Sequence, residues 1–369
     1  METQAHQFLK DLLAAPGPSG YEQPVQEIVR QYVNSFADSV RTDVHGNVIV
    51  GNNVNAAQRV LLAGHCDQIG LAVSHIDEKG FIYALPIGGW DPVQLIGQRM
   101  TIWTRSGPVA AVIARKAIHL LTESERKKNL ELEDLWLDIG ANDRDEAAAL
   151  VRIGDPVTLV LGYQEMRNGL ANAPGMDNVT GVWVVIEAAR RAKAHGHTCA
   201  LFAVSTVQEE IGLRGAQTSA YGVDPAIGIA VDVTHATDFP TMDKRQKGDV
   251  KLGGGPVLDR GPIVNPRLFD RMVDVAAAKS IPVQITAHGR STGTDANAIQ
   301  LARAGVVTGL ISIPNRYMHS AVEMIALDDI DRAADLLAAL SIAGDQAFLA
   351  LRNLYACDPQ LHVPAAWFR

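Results

Sequence analysis

The hydrophobic pattern of the chain changes twice, and this constrains the fold more than any other feature. From about residue 70 to 163 the sequence is mostly closely spaced β-rich runs such as IGLAVSHI, FIYALPI and RMTIWT, whereas on both sides helical segments alternate with apolar strands. Such alternation is typical of an α/β sheet, and dense short strands are typical of a small barrel or sandwich. We therefore predict one α/β domain from residues 1–69 plus 164–369, with residues 70–163 as an inserted β-rich domain.

The length, charge and cysteine content fit this arrangement. The 369 residues exceed the usual span of one hydrophobic core. The net charge of -8, without a basic stripe, makes nucleic acid and anionic membranes unexpected partners. No apolar run is long enough to span a bilayer, and the N-terminal segment lacks a secretory apolar region. Cys66, Cys199 and Cys357 form neither a CxxC motif nor a disulfide framework, so we expect a cytoplasmic protein.

Five short segments place polar side chains directly after an apolar strand or in a turn rich in glycine or proline. They are GHCDQIG (64–70), NAPGMDN (172–178), VQEEIGLRG (207–215), AVDVTHATD (230–238) and NRYMHSAVE (315–323). Taken singly, a histidine or a pair of acids is more often a structural or solvated group than a ligand. Because the carboxyl ends of strands in one α/β sheet border one crevice, we expect the five segments to lie together.

The side chains of these segments suit two divalent metal ions. The candidate ligands are two imidazoles and three carboxylates, namely His65, His319, Asp177, Glu210 and Asp232. With one bridging carboxylate, each ion would have one histidine, one terminal carboxylate and half of the bridge, which leaves positions for water. Two such ions activate a bridging water and polarise a carbonyl, which indicates hydrolysis. The donor set tolerates zinc, cobalt and manganese.

Two further residues are candidates for the chemistry. Glu209 and Glu210 are adjacent, so at a strand end they point in different directions, and one can bind metal while the other moves protons from water to the leaving nitrogen. We assign the proton transfer to Glu209 and the metal to Glu210, although the pattern alone permits the reverse. Asp67 lies two residues after His65 on the same face of an extended segment and is predicted to accept the second imidazole N–H.

Ordered motifs along nearly the whole chain resemble the tetrahedral (TET) aminopeptidase family, which includes the glutamyl aminopeptidases and members labelled endoglucanases. The motifs are GHCDQIGL, IGGW, KAIHLLT, LWLDIGA, GDPVTL, GMDNVTG, QEEIGLRGA, GTDANAIQLARAGV and YMHSAVE. The resemblance implies a dinuclear metal aminopeptidase. It also implies a mixed-sheet α/β/α metallopeptidase domain with an inserted small β-barrel-like dimerisation domain.

The resemblance implies roles for single residues as well. It places one metal on His65, Asp177 and Asp232 and the other on Asp177, Glu210 and His319. It makes Glu209 the general acid/base, with Asp67 in support, and implies a cis peptide bond between Asp177 and Asn178. It further implies dimers that form a hollow tetrahedral dodecamer. Trp90 and Trp103 of the insertion are candidates for the dimer contact, or for the core.

We expect a cytoplasmic, metal-dependent aminopeptidase that removes N-terminal residues from short peptides through a water bridging two divalent metal ions. A related deacylase or carboxypeptidase would use a similar centre but would not require a free α-amine. A glycoside hydrolase needs two carboxyls and no metal, which would leave the histidines unused. A non-catalytic scaffold of the same fold is expected to have lost a ligand or the base, and none is missing.

Several other residues keep two interpretations. His235 and His288 either line the pocket or have simple loop roles. The GTDA turn at 293–296 either helps to form the substrate pocket or caps a helix through Thr294 or Asp295. The charged run at 123–134 is predicted to be a solvated loop.

Overall fold

The computed structural model of the protein describes residues 1–342. Residues 343–369, with Cys357 and the end of the predicted α/β domain, lie outside the described residues. Within residues 1–342, no helix combines the length and the apolar character needed to cross a membrane.

The chain begins with a helix pair and three strands. These elements are α1 (Thr3–Ala14), α2 (Gln23–Val33), β1 (Ser39–Thr42), β2 (Val48–Asn52) and β3 (Arg59–His65). The first helix ends before Pro16 and Pro18, since proline cannot donate the hydrogen bond that would extend it. Residues 3–14 and 22–36 place apolar residues at helical spacing, and the structure has a helix in each range, of which the second ends three residues earlier, at Val33.

The next segment forms a closed antiparallel barrel. Its elements are β4 (Gly70–Ile76), β5 (Ile82–Ile87), β6 (Arg99–Thr104), β7 (Gly107–Ala114), α3 (Glu123–Lys127), β8 (Trp136–Asp138), α4 (Arg144–Leu150) and β9 (Pro156–Leu159). The strand order around the barrel is β4-β5-β8-β7-β6-β9, and the interior has its own apolar core, which includes Leu71, Ile102 and Leu137. The charged run at 123–134 contains the exposed helix α3. The domain boundaries at residues 70 and 163 stay a prediction.

After the barrel, helices and strands alternate. The elements are β10 (Gln164–Glu165), β11 (Leu170–Asn172), α5 (Met176–His195), β12 (Ala200–Thr206), α6 (Arg214–Val223), β13 (Ile227–His235), α7 (Lys244–Lys247), β14 (Val257–Arg260), α8 (Pro266–Ala278), β15 (Gln284–Ala287), α9 (Asp295–Ile299), β16 (Val307–Asn315), β17 (Met324–Ala326) and α10 (Leu327–Ile342). A small sheet has the order β10-β11-β17.

One eight-stranded mixed sheet, with the order β1-β2-β12-β3-β13-β16-β14-β15, forms the centre of the larger unit. Its four middle strands β12, β3, β13 and β16 are parallel, so their carboxyl ends lie at one edge. Helix α5, against which α1 and α10 pack, covers one face, and α6 and α9 cover the other. The predicted mixed-sheet α/β/α fold with an inserted barrel is therefore confirmed.

The contact between β3 and α5 depends on glycine. A Cβ atom on Gly64 would lie 2.4 Å from the carbonyl carbon of Gly181 and 2.7 Å from the nitrogen of Val182. Both atoms belong to the α5 backbone, which cannot yield as a flexible side chain would. Gly64 thus lets the helix approach the strand closely, one residue before His65.

Gly64→Ala is expected to lower the free energy of unfolding by about 1–3 kcal/mol or more, because the added methyl group must separate α5 from β3. Denaturant titration monitored by circular dichroism measures the change. Gly162→Ala is the matched control, since a Cβ there meets no atom within 4 Å, and it should change stability by less than about 0.5 kcal/mol. Equal stability of the two variants would contradict the close contact.

Candidate metal centre and active site

The predicted polar segments meet at the carboxyl edge of the parallel strands. They contribute to one cavity of about 790 Å³, whose lining includes every predicted ligand and the predicted base: His65, Asp177, Glu209, Glu210, Asp232 and His319. The convergence follows from the fold, since β3, β12, β13 and β16 end there and α5 begins there. His235 and His288 line the same cavity, which favours the pocket over a simple loop role for both.

Asp177 lies between the two histidines. Its Oδ1 is 3.3 Å from His65 Nε2, and its Oδ2 is 3.3 Å from His319 Nε2. One carboxylate therefore presents one oxygen to each imidazole, as a bridging ligand would. The peptide bond between Asp177 and Asn178 is cis, which confirms the expectation from the family resemblance.

Each histidine also faces other carboxylates. His65 Nε2 is 3.6 Å from Asp232 Oδ1 and 3.8 Å from Glu209 Oε2, and His319 Nε2 is 3.5 Å from Glu210 Oε1. Ligand atoms within 4.8 Å of one another form two groups, His65 with Glu209 and Asp232, and Asp177 with Glu210 and His319. The second group is one of the two predicted ligand sets. The first contains Glu209 instead of Asp177, so the choice of Glu209 as base rather than ligand stays a prediction.

The electrostatics of the site suit divalent cations. Four carboxyl groups are nearly buried within one cavity, and Glu210 Oε1 has no hydrogen-bond partner among residues 1–342. A buried carboxylate oxygen without a partner is costly, and a metal ion is one group that compensates for it. The neighbouring carboxylates of Asp177 and Glu210 raise the pKa of His319 to about 11, so the site favours positive charge. Imidazole and carboxylate ligands together fit zinc, cobalt or manganese.

Asp67 lies buried beneath the cavity. Its carboxylate accepts hydrogen bonds from the main-chain N–H groups of Glu209 at 3.0 Å and Glu210 at 3.1 Å, and from Ser19 Oγ at 2.6 Å. The nearest acceptor for His65 Nδ1 is the Asp67 main-chain carbonyl at 3.0 Å, while the Asp67 carboxylate is 3.5 Å away. The prediction that the carboxylate orients the imidazole stays a prediction, because the carboxylate lies near the ring while it accepts the two main-chain N–H groups.

Glu323 makes a second buried contact of this kind, which the sequence analysis missed. Its Oε2 accepts a hydrogen bond from the Asp177 N–H and its Oε1 from the His319 N–H, both at 2.8 Å. His319 has a φ of 61°, in the left-handed region, so its main chain needs such support. A signal was available in the sequence, because Glu323 ends the segment that contains His319, although its contact with Asp177 crosses 146 residues.

Glu323→Gln is expected to lower metal affinity or kcat by roughly 10–100-fold, the usual range for a residue that supports metal ligands. The amide accepts only one of the two N–H groups and turns its own N–H donors towards the other. Metal content after dialysis and kcat at saturating metal measure the change. The exposed Glu131→Gln is the control, and equal behaviour of the two variants would contradict a positioning role for Glu323.

Asp295 of the GTDA turn is buried close to the site. Its Oδ2 accepts a hydrogen bond from Thr206 Oγ1 at 2.5 Å, and its Oδ1 has no partner in the described part of the chain. Burial raises the pKa of Asp295 to about 7. Thr294 is the N-cap residue of α9 but makes no side-chain cap hydrogen bond, and it lines the cavity. The turn therefore contributes to the cavity wall.

A larger cavity of about 970 Å³ lies at the opposite edge of the sheet, where β3, β13 and β16 begin. Its lining includes the ion pair of Asp224 and Arg303 at 3.3 Å and no histidine. The chemistry that the sequence predicts is therefore confined to the smaller cavity.

Comparison with known proteins gives a consistent result. The family model of the M42 glutamyl aminopeptidases matches residues 46–336. A lysyl aminopeptidase of Pyrococcus furiosus is 37% identical over 339 residues, which cover 90% of this chain and 96% of that protein. The crystal structure of a TET aminopeptidase from a marine sediment archaeon, Thaumarchaeota archaeon SCGC AB-539-E09, superposes with a TM-score of 0.91 at 35% identity and covers 94% of this chain and 99% of that one.

An assembled relative is also similar. The TET1 peptidase of Pyrococcus horikoshii, which can assemble into a tetrahedron or a large octahedral shell, has a TM-score of 0.82 at 31% identity. That match covers 92% of this chain and all of the other.

Proposed function

The chain belongs to the M42 glutamyl aminopeptidase family and is an aminopeptidase, and we propose that it acts on short peptides with two divalent metal ions as cofactors. The observation that carries the proposal is the position of Asp177, which turns one carboxylate oxygen towards His65 and the other towards His319.

We propose that His65, Asp177 and Asp232 hold one ion and that Asp177, Glu210 and His319 hold the other. When bound, the two ions would polarise the scissile carbonyl and lower the pKa of a water molecule. Zinc, cobalt and manganese are all consistent with these ligands.

Glu209 is the residue to which we assign proton transfer. Burial, followed by the nearby charges of Asp232 and Asp295, raises the pKa of Glu209 above its usual value despite the opposing effect of His65. A carboxyl group whose pKa is raised towards neutrality accepts a proton from water and returns it to a leaving nitrogen efficiently. The hydrogen bond from the Glu209 N–H to Asp67 holds this residue at the cavity while it exchanges the proton.

We further propose that the chain forms a homo-oligomer, a dodecamer built from dimers, in which the barrel makes the dimer contact. The barrel exposes large apolar side chains, namely Leu85, Val93, Val112, Ile118, Leu120 and Val160. Trp90 and Trp103 are half-buried and donate their indole N–H to Gly70 O and Thr158 Oγ1, and a part of either in the dimer contact stays a prediction. A stable monomer in light scattering would contradict the proposal. A cytoplasmic location is part of the same proposal, because the sequence has only three cysteines and no CxxC motif.

Dialysis against a chelator is expected to abolish hydrolysis of aminoacyl p-nitroanilides, and zinc, cobalt or manganese should restore it, since the ions supply the electrophile. Metal content measured beside the rate is the control. Full activity at undetectable metal content would contradict metal dependence.

Substrate form separates the alternatives. An aminopeptidase should not cleave N-acetylated peptides, because it requires a free α-amine. Cleavage of acetyl groups would indicate a deacylase, release of C-terminal residues a carboxypeptidase, and chelator-resistant hydrolysis of glycosides a glycoside hydrolase.

A further inference from the structure

The active-site cavity has two chemically different parts. All four carboxyl residues of its lining belong to the proposed metal centre. The residues contributed by 244–248 and 285–294 include five that are basic and none that is acidic: Lys244, Arg245, Lys247, His288 and Arg290. A substrate held at the metal centre therefore meets only neutral and basic side chains beyond it.

Two of these cations are neutralised within their own segment. Lys244 and Arg245 are each paired with a neighbouring aspartate, at 2.6 Å and 2.8 Å. Lys247 and Arg290 form no ion pair with any residue from 1 to 342, and no hydrogen bond of either side chain is present there. The charge left uncompensated in the cavity wall is thus that of Lys247 at the end of α7 and of Arg290 in the loop after β15.

His288 is held in the same wall by a buried network. Its Nε2 lies 2.6 Å from Oδ1 of Asp259, which is 1% exposed. Asp259 also accepts hydrogen bonds from Thr286 Oγ1 at 2.6 Å and Ser312 Oγ at 2.5 Å, so its orientation is determined from three sides. The hydrogen bond to Asp259 raises the pKa of His288, which favours the imidazolium form. Nδ1 of His288 then remains a donor without a partner among the described residues.

We propose that Lys247, His288 and Arg290 form a carboxylate-binding wall for the substrate. The carboxylate is either the side chain of an N-terminal Glu or Asp or the C-terminus of a short peptide. This assignment rests on the proposed function for the position of the scissile bond. Lysine and arginine side chains are disfavoured, because outside the metal centre the cavity offers them no acidic partner and presents like charges.

Binding to the Glu209→Gln variant, which we expect to bind peptides normally and to cleave them at least about 10²-fold more slowly, tests the wall separately from catalysis. Titration calorimetry compares Glu-Gly-Gly with Gln-Gly-Gly for the side chain, and Leu-Gly-Gly with its C-terminal amide for the chain end. In at least one pair the peptide with the carboxylate should bind roughly 10-fold tighter than its amide counterpart, because one charge-assisted hydrogen bond contributes about that much to affinity. The pair that shows the difference identifies the source of the carboxylate.

Adding Lys247→Gln and Arg290→Gln together to the Glu209→Gln variant should remove the preference for the carboxylate peptide, and adding His288→Gln should reduce it. Lys244→Gln with Arg245→Gln is the matched control, since it deletes the same charge from paired residues and should leave the preference intact. Equal binding of acid and amide forms in both pairs, or a preference that survives Lys247→Gln with Arg290→Gln, overturns the wall. If the metal-loaded protein hydrolyses no peptide, the proposed function is rejected. The binding data would still test whether the wall binds a carboxylate.

Discussion

Replacing Glu209 by glutamine should lower kcat by at least about 10²–10⁴-fold, or roughly 3–5 kcal/mol of barrier, with both metal ions still bound. Glutamine has nearly the same size as glutamate but cannot accept the proton of the attacking water. Because Glu209 is held through its main-chain N–H by Asp67, the substitution should leave the position of the residue and the substrate affinity near normal.

Glu210→Gln is the matched comparison, since the neighbouring residue has the same side chain and is held by the same Asp67 carboxylate. It weakens a proposed ligand, so lower metal occupancy and partial rescue by excess metal are expected. Metal content and kcat of both variants at several metal concentrations decide between the two assignments. Metal loss in Glu209→Gln with metal-rescued activity would falsify ours, and the grouping of Glu209 with His65 and Asp232 makes this a real test.

Asp177→Asn should have an effect at least as large, because a single carboxylate faces both histidines. An asparagine offers one oxygen, and its amide nitrogen is not a metal ligand. Loss of the bridge should therefore lower the occupancy of both ions and reduce kcat/KM by roughly 10³-fold or more, in line with the several kcal/mol that a metal ion contributes to catalysis.

Asp232→Asn is the control for the bridge. Among residues 1–342, Asp232 pairs with His65, at 3.6 Å, and not with His319, so this variant should lose one ion and retain most of the other. Elemental analysis of both dialysed variants gives the number of ions per chain. Retention of one full ion in Asp177→Asn would show that this carboxylate does not bridge.

The residue types of the metal centre could be predicted because the local sequence shows where each buried strand ends. The apolar run RVLLAG leads directly to His65, and AIGIAV leads to Asp232, so each residue is placed at the carboxyl end of a buried strand by its own neighbours. In the same way, the change from helix–strand alternation to dense strands indicated the barrel. The pairing of β4 with β9 that closes the barrel had no local signal, because it joins segments about 85 residues apart.

Tertiary packing determines the contacts of the residues that hold or surround the metal centre. The Asp67 carboxylate accepts the main-chain N–H groups of Glu209 and Glu210, and the Asp67 carbonyl is the nearest acceptor for the ring of His65. Both contacts depend on where β12 ends relative to β3. Trp90 and Trp103 are half-buried, and their indole N–H groups find partners on strands of the barrel, Gly70 of β4 and Thr158 of β9.

The sequence by itself therefore determined which side chains are candidates for the chemistry and at which strand ends they lie, because hydrophobic periodicity is a property of neighbouring residues. Only the tertiary structure decided which of these side chains face one another and which residues support them. The contact of Glu323 with Asp177 spans 146 residues, and the proposed wall joins Lys247 of α7 to Arg290 of the loop after β15. Such contacts depend on how helices and loops pack over the sheet, and that packing cannot be predicted from the pattern of neighbouring residues in the sequence.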